Sequence, residues 1–382
     1  MKIKGKEKQI HKFVFVAGFM RVRLGDVCEK GSSNLKQSDV IDKNGEYEIY
    51  GASGLIGKVD FFHQEKPYIA VVKDGAGIGR TMLLPEKTSV IGTMQYILPN
   101  EKVIPKYLYY VIRYMHLEKY FTGATIPHIY FKDYKREEFN LCDLSEQEKI
   151  VSTLSKIEKI ITHRKQQLEK LDLLVKARFV EMFGEPILNE KGWNMVTIGD
   201  IVTEVKYGTS KLAVEGGKYP YLRMNNLTYD GHLDLTNLKM IDIPDSEIEK
   251  CIVHRGDVLF NRTNSIELVG KTCVFDKDED MVIAGYIIRV RLKSIMLPIV
   301  LSYFMNTDAL KKKLRNMAKG AVNQANINAQ EFKSINIYLP PIELQTQFAD
   351  FVKQVDKSRV AVQKALDETQ LLFDSLMQEY FG

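Results

Sequence analysis

Two long stretches of this chain share one pattern of apolar residues. Residues 150–184 read IVSTLSKIEKIITHRKQQLEKLDLLVKARFVEMFG, and residues 348–382 read FADFVKQVDKSRVAVQKALDETQLLFDSLMQEYFG. In both stretches apolar residues recur at alternating intervals of four and three, which is the 3.5-residue repeat of a coiled coil. Each seam position of the second stretch lies 198 residues after its counterpart in the first. The sequence therefore predicts one long helix that occurs twice.

Each helix carries a seam that must pack against a neighbour. A helix of this length runs about 55 Å at 1.5 Å per residue, so packing on its own domain alone is not expected. Two such helices most simply pack on each other as an antiparallel pair. The residues predicted to pair are Ile150, Leu154, Ile157, Ile161, Leu168 and Leu171 on the first helix, and Phe348, Val352, Val355, Val362, Leu366 and Phe373 on the second. The residues that interrupt the seams, and that we expect to fix their register, are Arg164, Arg178, Arg359 and Thr369.

The duplication extends upstream of the helices. Ile129-x-x-x-Asp133-Tyr134-Lys135 matches Ile327-x-x-x-Glu331-Phe332-Lys333 at the same offset of 198. Leu24-Gly25-Asp26-Val27 matches Ile198-Gly199-Asp200-Ile201 at an offset of 174, so the second globular half is about 24 residues longer. Matching ends with a divergent middle indicate one scaffold that carries two different surfaces.

Both globular halves show the alternation and turn residues of β-rich domains. Strands are predicted at 46–50, 68–72 and 95–98 in the first half and at 219–224, 257–261 and 287–291 in the second, with helices at 105–120 and 298–317. Strands first and a helix last favour the α+β class. We predict a tail at 1–20, a first globular domain at 21–142, a central helix at 143–184, a second globular domain at 185–338 and a C-terminal helix at 339–382.

Composition sets limits on location and partners. The formal net charge of +5 permits nucleic-acid binding without demanding it. No apolar run reaches the length of a membrane span. The Lys-rich start followed by residues 13–20 superficially resembles a signal peptide, but Arg21 and Arg23 follow at once, so we favour a tail. The four cysteines stand alone in sequence, which predicts buried, reduced thiols, no zinc site and a cytoplasmic protein.

Two turns carry residue types suited to DNA. The segment Lys73–Arg80 has glycines at alternate positions, which fits either a tight β turn or a backbone loop that approaches a phosphate. The segment Asn261-Arg262-Thr263-Asn264 combines arginine, which can bind guanine O6 and N7, with asparagine, which can bind adenine N6 and N7. Gly270-Lys271-Thr272 follows it but lacks the first glycine of a phosphate-binding loop, so we reject that interpretation.

A further cluster, Arg223-Met224-Asn225-Asn226, follows another predicted strand. Any one of these clusters could be an ordinary capped turn. The basic run Lys311–Lys313 with Arg315 fits either phosphate contacts or an exposed helix face. The residues that we predict to contact DNA are Lys73, Arg80, Thr125, His128, Lys211, Arg223, Asn225, Asn261, Arg262, Asn264, Lys271, Asn323 and Gln324.

Taken together, these features resemble the specificity subunit of type I restriction–modification systems. In that family a Leu-Pro-Pro-Leu-x-x-Gln-like joint opens each conserved helix; Leu339–Gln345 is similar to it, and Leu141–Gln147 is a copy without the prolines. The stretch Tyr47–Gly57 resembles the opening of one class of target-recognition domain. Tyr219–Arg223 followed by Gly256–Phe260 resembles another. The resemblance covers roughly residues 21–382.

The resemblance implies a division of labour. Each recognition domain would bind one half of a split double-stranded DNA target, and the helices would act as a spacer between the half-sites. Two modification subunits would bring S-adenosylmethionine, and restriction subunits with ATP and Mg²⁺ would join them, while this chain would bind no cofactor itself. An asymmetric chain with a repeat can bind two identical partners in the same way.

Two other functions remain as alternatives. A single-chain DNA modification enzyme would need an Asn-Pro-Pro-aromatic motif and an S-adenosylmethionine loop, and we find neither in the sequence. A coiled-coil scaffold without DNA specificity would share the helices but would not depend on Lys73 or Arg262. We therefore expect a non-catalytic DNA-recognition subunit with no catalytic and no metal-binding residues.

Overall fold

The computed structural model describes residues 20–40, 43–123, 127–321 and 324–382. The chain divides into two compact units: the first comprises the chain up to Lys165 together with Lys364–Gly382, and the second comprises Gln166–Gln363. Both units mix strands and helices, so the predicted α+β class is confirmed. The predicted tail lies outside the described residues except for Met20, which begins the first strand.

Among its described residues, the first globular domain has nine strands and two α-helices, and a long helix follows it. Its elements are β1 (Met20–Arg23), β2 (Cys28–Ser32), β3 (Tyr47–Gly51), β4 (Gly54–Val59), β5 (Tyr68–Val72), β6 (Thr81–Leu84), β7 (Ser89–Val90), β8 (Met94–Pro99), α1 (Pro105–Tyr114), α2 (Phe131–Tyr134), β9 (Glu138–Leu141) and α3 (Leu144–Phe183).

The second globular domain repeats this order with additional elements. They are β10 (Asn194–Thr197), α4 (Ile198–Ile201), β11 (Val202–Tyr207), β12 (Tyr219–Leu222), β13 (Lys239–Ile241), α5 (Asp245–Cys251), β14 (Ile252–Val253), β15 (Val258–Asn261), β16 (Thr263–Asn264), β17 (Thr272–Val274), β18 (Met281–Ile283), β19 (Ile287–Leu292), α6 (Pro298–Met305), α7 (Asp308–Met317), β20 (Lys319–Ala321), β21 (Gln324–Asn326), α8 (Ala329–Lys333), β22 (Asn336–Leu339) and α9 (Ile342–Phe381).

The two domains share their sheet topology. The sheet β2-β8-β5-β6 in the first domain corresponds to β11-β19-β15-β17 in the second, and both are antiparallel. The sheet β4-β3-β7 corresponds to the first three strands of β13-β12-β18-β14, and the pairs β3-β7 and β12-β18 are both parallel. The pairs β1-β9 and β10-β22 also correspond. The sheet β16-β21-β20 is an addition of the second domain within the described residues.

Apolar strands form the centre of each domain. All five residues of β5 are buried, as are all four of β15, and each strand lies between two others in its sheet. A continuous apolar run is the pattern expected of a strand that is buried on both faces. Each of these strands ends at one of the turns that the sequence analysis selected, so the core holds the base of each turn.

Two predicted helices differ from the observed ones. The helix predicted at 105–120 ends at Tyr114, because His116 adopts a left-handed backbone conformation with φ of 50°. The helix predicted at 298–317 is divided into α6 and α7. Thr307 is extended between them, and the Asn306 amide donates to the carbonyl oxygens of Thr272 (2.7 Å) and Ser302 (2.9 Å). A side chain that bonds the backbone competes with helix continuation at this point.

The twelve predicted pairing residues on α3 and α9 are all buried or half-buried. In the first unit, the Arg164 guanidinium donates to the Ala365 carbonyl and to the Thr369 hydroxyl. Burial raises the pKa of Tyr380 near the end of α9, and the carboxylates of Glu379 and of Glu146, near the start of α3, raise it further. The two helix segments of this unit therefore run antiparallel.

The second unit contains the other two helix segments. Arg359 Nη2 lies 2.5 Å from Asp172 Oδ1, and the Phe179 and Phe183 rings each pack against Phe348 at 5.4 Å between centroids. Later positions on α3 thus meet earlier positions on α9, so these segments also run antiparallel. None of the described helices is long and apolar enough to cross a membrane.

Candidate nucleic-acid interface

In the first domain, the loop between β5 and β6 is closed by backbone hydrogen bonds. Val72 N donates to Arg80 O, and Gly79 N donates to Val72 O, both at 2.9 Å. Lys73, the first loop residue, donates its N–H to Thr93 O (3.0 Å) and accepts at its carbonyl from Ile129 N (3.0 Å). We call residues 73–80 the first reader loop. These backbone hydrogen bonds fix the base of the loop.

The loop between β15 and β17 in the second domain has the same closure. Asn261 N donates to Lys271 O (2.8 Å), and Gly270 N donates to Asn261 O (2.9 Å). Arg262 donates its N–H to Tyr286 O (2.9 Å), and its carbonyl accepts from Ile327 N (2.9 Å). We call residues 262–271 the second reader loop. Lys73 and Arg262 therefore occupy equivalent positions, and so do Arg80 and Lys271.

The equivalence extends to the glycine that closes each loop. Gly79 has φ of 80° and Gly270 has φ of 87°, a left-handed conformation that favours glycine. The next-but-one threonine caps the turn in both cases: Thr81 Oγ1 donates to Gly79 O, and Thr272 Oγ1 donates to Gly270 O, each at 3.0 Å. The Gly-Lys-Thr rejected above as a phosphate-binding loop is thus the end of a β loop, with Gly79-Arg80-Thr81 as its counterpart.

The basic residue at the end of each reader loop holds a neighbouring turn. Arg80 Nη1 donates to Ala52 O (2.9 Å), which lies just after β3, and Lys271 Nζ donates to Met224 O (2.6 Å), which lies just after β12. Lys271 is only 6% exposed, and burial lowers the pKa of its ammonium group. The Arg80 side chain is exposed.

The structure brings three predicted residues of the first domain together. Asp74 forms an ion pair with Lys73 Nζ (2.5 Å) and a hydrogen bond with His128 Nδ1, and it is half-buried. His128 packs against the Tyr130 ring at 4.1 Å between centroids, and Tyr130 is exposed. Lys73, Arg80 and His128 therefore lie around one loop. The predicted contact at Thr125 lies outside the described residues.

The second reader loop contains a polar network. Asn261 is completely buried, and its amide nitrogen donates to the Thr263 and Tyr286 carbonyls at 3.1 and 3.0 Å. Asn264 donates to Asn261 Oδ1 at 2.8 Å. The Arg262 guanidinium lies 4.9 Å from the centre of the Tyr207 ring and is half-buried. Asn261 thus supports the loop from inside, while Arg262 and Asn264 lie nearer its surface.

The remaining predicted residues of the second domain lie on segments next to this loop. Arg223 is half-buried and donates to Asn237 O (3.1 Å), and Asn225 is exposed beside the turn that Lys271 holds. Lys211 is exposed and paired with Glu247 at 3.0 Å. Gln324 is exposed on β21, which pairs with β16 in the loop. The predicted contact at Asn323 lies outside the described residues.

Sequence reasoning missed two features of this interface. It treated the two reader loops as unrelated turns, although the shared Gly-basic-Thr pattern at 79–81 and 270–272 was available. It also omitted Tyr207, whose exposed ring lies against the Arg262 guanidinium, and Tyr286, which is exposed and accepts from Arg262 N at its backbone carbonyl. Exposed aromatic rings beside a guanidinium are suited to contacts with nucleic acid.

The described residues contain no group of histidine, cysteine and acidic side chains that could hold a metal ion. All four cysteines are buried and free, as predicted. Burial raises the pKa of the Cys28 thiol to about 12, so this group is not a nucleophile near neutral pH.

Comparisons with known proteins agree with the duplicated fold. Residues 17–171 and 190–369 both match the type I restriction modification DNA specificity domain. The chain is 28% identical over 194 residues to a putative type I restriction enzyme MjaX specificity subunit of Methanocaldococcus jannaschii, covering 50% of this chain and 45% of that protein. It is 25% identical over 279 residues to the EcoKI specificity subunit of Escherichia coli K12, covering 68% of this chain and 60% of that protein.

Solved structures share the fold. The S subunit of a type I restriction-modification system from M. genitalium superposes with a TM-score of 0.59 at 16% identity, covering 97% of this chain and 98% of that one. A chain solved in work on complex assembly and conformational transition of the type I R-M system gives 0.53 at 18% identity, covering 95% and 96%. The matches to the curated relatives span about half of those proteins. Because the family match covers most of the chain in two copies, the chain belongs to the family of type I restriction modification DNA specificity domains.

Proposed function

We propose that this chain is the DNA sequence-specificity subunit of a type I restriction–modification complex. Each globular domain binds one half of a bipartite target. The observation that supports this most directly is the pair of equivalent reader loops, which begin with Lys73 and Arg262 on the same backbone frame. Two loops with the same backbone hydrogen bonds but different residues between them suit a protein that binds two half-sites of different sequence.

Arg262 and Lys73 provide the test of this division of labour. Arg262→Ala should weaken binding of the assembled complex to its target about 5- to 150-fold, the range for one lost base contact. The loss should depend on the sequence of one half-site only, and Lys73→Ala should affect only the other. Arg255→Ala is the control, because that exposed side chain pairs with Asp278 and lies outside the predicted contact set. Equal binding by wild type and both variants would favour a scaffold without DNA specificity.

The helices α3 and α9 would set the distance between the half-sites as an antiparallel coiled coil. Their seams are buried and their segments run antiparallel in each unit. Inserting seven residues at matched places in both helices keeps the seam register and adds about 10.5 Å. The preferred spacing of the half-sites should then grow by about three base pairs at about 3.4 Å per pair. An unchanged spacing would contradict the spacer role.

Two modification subunits would bind this chain. The outer surface of the long helices carries an exposed leucine pair in each repeat: Leu173 and Leu174 (62 and 48% exposed) and, 198 residues later, Leu371 and Leu372 (69 and 51%). Large exposed apolar side chains at equivalent places are suited to two copies of one partner. This duplication supports a stoichiometry of two partners to one specificity subunit.

A cavity lies beyond each leucine pair on the same helix. Val180, seven residues after Leu173, borders a cavity of about 210 Å³ at the end of α6. Gln378, seven residues after Leu371, borders one of about 410 Å³ at the end of α1. Residues seven apart lie on one helix face, so Leu173 and Leu371 each share a face with a residue that borders a cavity.

The partner surfaces can be tested separately. Replacing both leucines at 173 and 174 by serine should reduce the complex from two modification subunits to one, measured by native mass spectrometry. The same change at 371 and 372 should also leave one, and the fourfold variant should leave none. Two bound partners in the fourfold variant would place the docking surface elsewhere.

The chain would bind no cofactor and would catalyse no reaction by itself. S-adenosylmethionine, ATP and Mg²⁺ would be bound by the partner subunits. The purified chain, incubated with S-adenosylmethionine and target DNA, should therefore transfer no methyl groups until the modification subunits are added. Methyl transfer by the chain alone would establish the alternative, a single-chain modification enzyme.

A further inference from the structure

In each domain, one side-chain contact joins the end of the reader loop to the turn after a neighbouring strand. Arg80 donates to Ala52 O and Lys271 donates to Met224 O, at equivalent places in the two domains. We infer that Lys271 is a positioning residue rather than a DNA ligand, that Arg80 holds the equivalent turn of the first domain, and that the loop tips, residues 74–78 and 263–269, are specificity-determining segments beside Lys73 and Arg262. This inference rests on the proposed function and names the part of each domain that reads sequence.

The burial of Lys271 argues against a phosphate contact. Its side chain is 6% exposed, and its ammonium nitrogen lies 2.6 Å from the Met224 carbonyl oxygen. A buried ammonium group is costly unless its donors are bonded, so the group is committed to the turn after β12. That turn carries Arg223 and Asn225, so one side chain links two segments that bear predicted DNA contacts.

The equivalent turn in the first domain is held in the same way. Ala52 follows β3, whose Tyr50 carbonyl accepts from Ile91 N (3.0 Å); Leu222 O accepts from Ala284 N (2.9 Å) at the corresponding place after β12. Both donors therefore cross from a reader loop to the same turn of the fold. The same contact is made by arginine in one domain and by lysine in the other. The two domains therefore share the position of this turn rather than the identity of the side chain that holds it.

The two loop tips differ in length and sequence, although the backbone hydrogen bonds at the bases of the two loops are equivalent. The first tip is Asp74-Gly75-Ala76-Gly77-Ile78, with Asp74 held by Lys73 and His128. The second tip is two residues longer, Thr263-Asn264-Ser265-Ile266-Glu267-Leu268-Val269, with Ile266, Glu267 and Leu268 exposed. Because the frames coincide, each tip would reach the equivalent position of its own half-site. Their different length and chemistry would make those positions differ in sequence.

Exchange of the tips is the first test. The tip of the first loop is replaced by residues 263–269 while the frame residues Lys73, Gly79 and Arg80 are kept. The assembled complex then selects targets from DNA in which both half-sites are randomised. We expect altered preference at one or two base pairs of one half-site, with the other half-site unchanged. An unchanged target, or changes spread over both half-sites, would overturn the assignment of the tips.

Lys271→Met is the second test, because methionine fills the space of lysine without a donor. Binding is measured against salt for the preferred target and for a target with one altered base pair. We expect the discrimination between these targets to fall about tenfold, the order of one base pair's contribution, with no change in the salt slope. Lys271→Arg should restore the discrimination.

A phosphate ligand would behave differently. In that case Lys271→Met would reduce the slope of log affinity against log salt by about one and leave the discrimination intact, which would overturn the positioning role. Lys239→Met, at an exposed lysine of β13, is the matched control and should change neither quantity. Thermal unfolding of each variant shows whether the fold is retained. If the wild-type complex showed no sequence preference at all, the proposed function itself would fail, which separates the two outcomes.

Discussion

Gln147 and Gln345 fix the start of the two long helices, and replacing either with leucine should destabilise its unit. Both side chains are completely buried and lie 198 residues apart. Gln147 Oε1 accepts from Ile104 N (2.8 Å), and its Nε2 donates to the carbonyls of Lys102 (3.0 Å) and Cys142 (2.9 Å). Each glutamine thus ties the helix start to the segment before α1 or α6.

The contacts of Gln345 are the same in kind. It accepts from Leu297 N (2.8 Å) and donates to Ile295 O (3.0 Å) and Pro340 O (2.8 Å). Three hydrogen bonds contribute about 0.5–1.5 kcal/mol each, and the backbone groups left without a partner add a further penalty. Burial of the leucine side chain offsets about 1.5–3 kcal/mol of this loss. The net cost should be about 2–4 kcal/mol at each site.

Two measurements check this estimate. Trp193 is the only tryptophan and lies in the second unit, so its fluorescence during urea denaturation reports the effect of Gln345→Leu. Hydrogen exchange of the Ile104 and Leu297 amides reports the lost acceptor directly at each site. The control is Gln167→Leu, at an exposed position of α3, which should cost less than about 0.5 kcal/mol.

The two variants should cost similar amounts, because their contacts are duplicated. A cost below about 1 kcal/mol at both sites, with the Ile104 and Leu297 amides still protected, would refute the role of these glutamines.

Three further predictions concern stability. Gly79→Ala and Gly270→Ala should each cost about 1–3 kcal/mol, because both glycines have positive φ. An added Cβ would also lie 2.7 Å from Glu118 N at position 79 and 2.7 Å from Leu314 Cδ1 at position 270. The control is Gly77→Ala in the first loop, where the Cβ meets only ordinary contacts, and it should be neutral in thermal unfolding. Burial lowers the pKa of Lys311 to about 8. Between pH 8 and about 10.5 the unfolded chain therefore holds a proton that the folded chain has released, so the free energy of unfolding rises with pH. Relative to Lys311→Met, the wild type should gain up to about 3 kcal/mol from pH 7 to pH 10.5 in urea denaturation, and parallel pH profiles of the two proteins would contradict this. Arg359→Leu should cost about 2 kcal/mol, because it leaves the Asp172 carboxylate without its partner in the seam. The double variant, with leucine at both 359 and 172, should unfold at or above the wild-type urea midpoint. Equal losses of stability in the two variants would show that the ion pair itself is the stabilising contact.

The long helices were predictable because their signal is local and periodic. Ile150, Leu154 and Ile157 lie at intervals that place them on one face of a helix, and no other part of the chain is needed to recognise that face. The joints before the helices were also recognisable, since Gln147 and Gln345 recur at the same offset. The division of the predicted helix at 298–317 was not, because it depends on Asn306 reaching Thr272.

The sequence by itself determined the α+β class, the two domains and the seams of α3 and α9. Only the tertiary structure decided that the reader loops are one element. The two loops are equivalent in their backbone hydrogen bonds. In sequence, the offset between matching residues changes from 172 at Tyr50 and Leu222 to 198 at Ile129 and Ile327, so no single offset aligns the two loops. It also decided that Lys271 is buried while Arg262 lies nearer the surface. Exposure depends on neighbours such as Met224 and Tyr207, which are distant in sequence, so no local pattern carries that information.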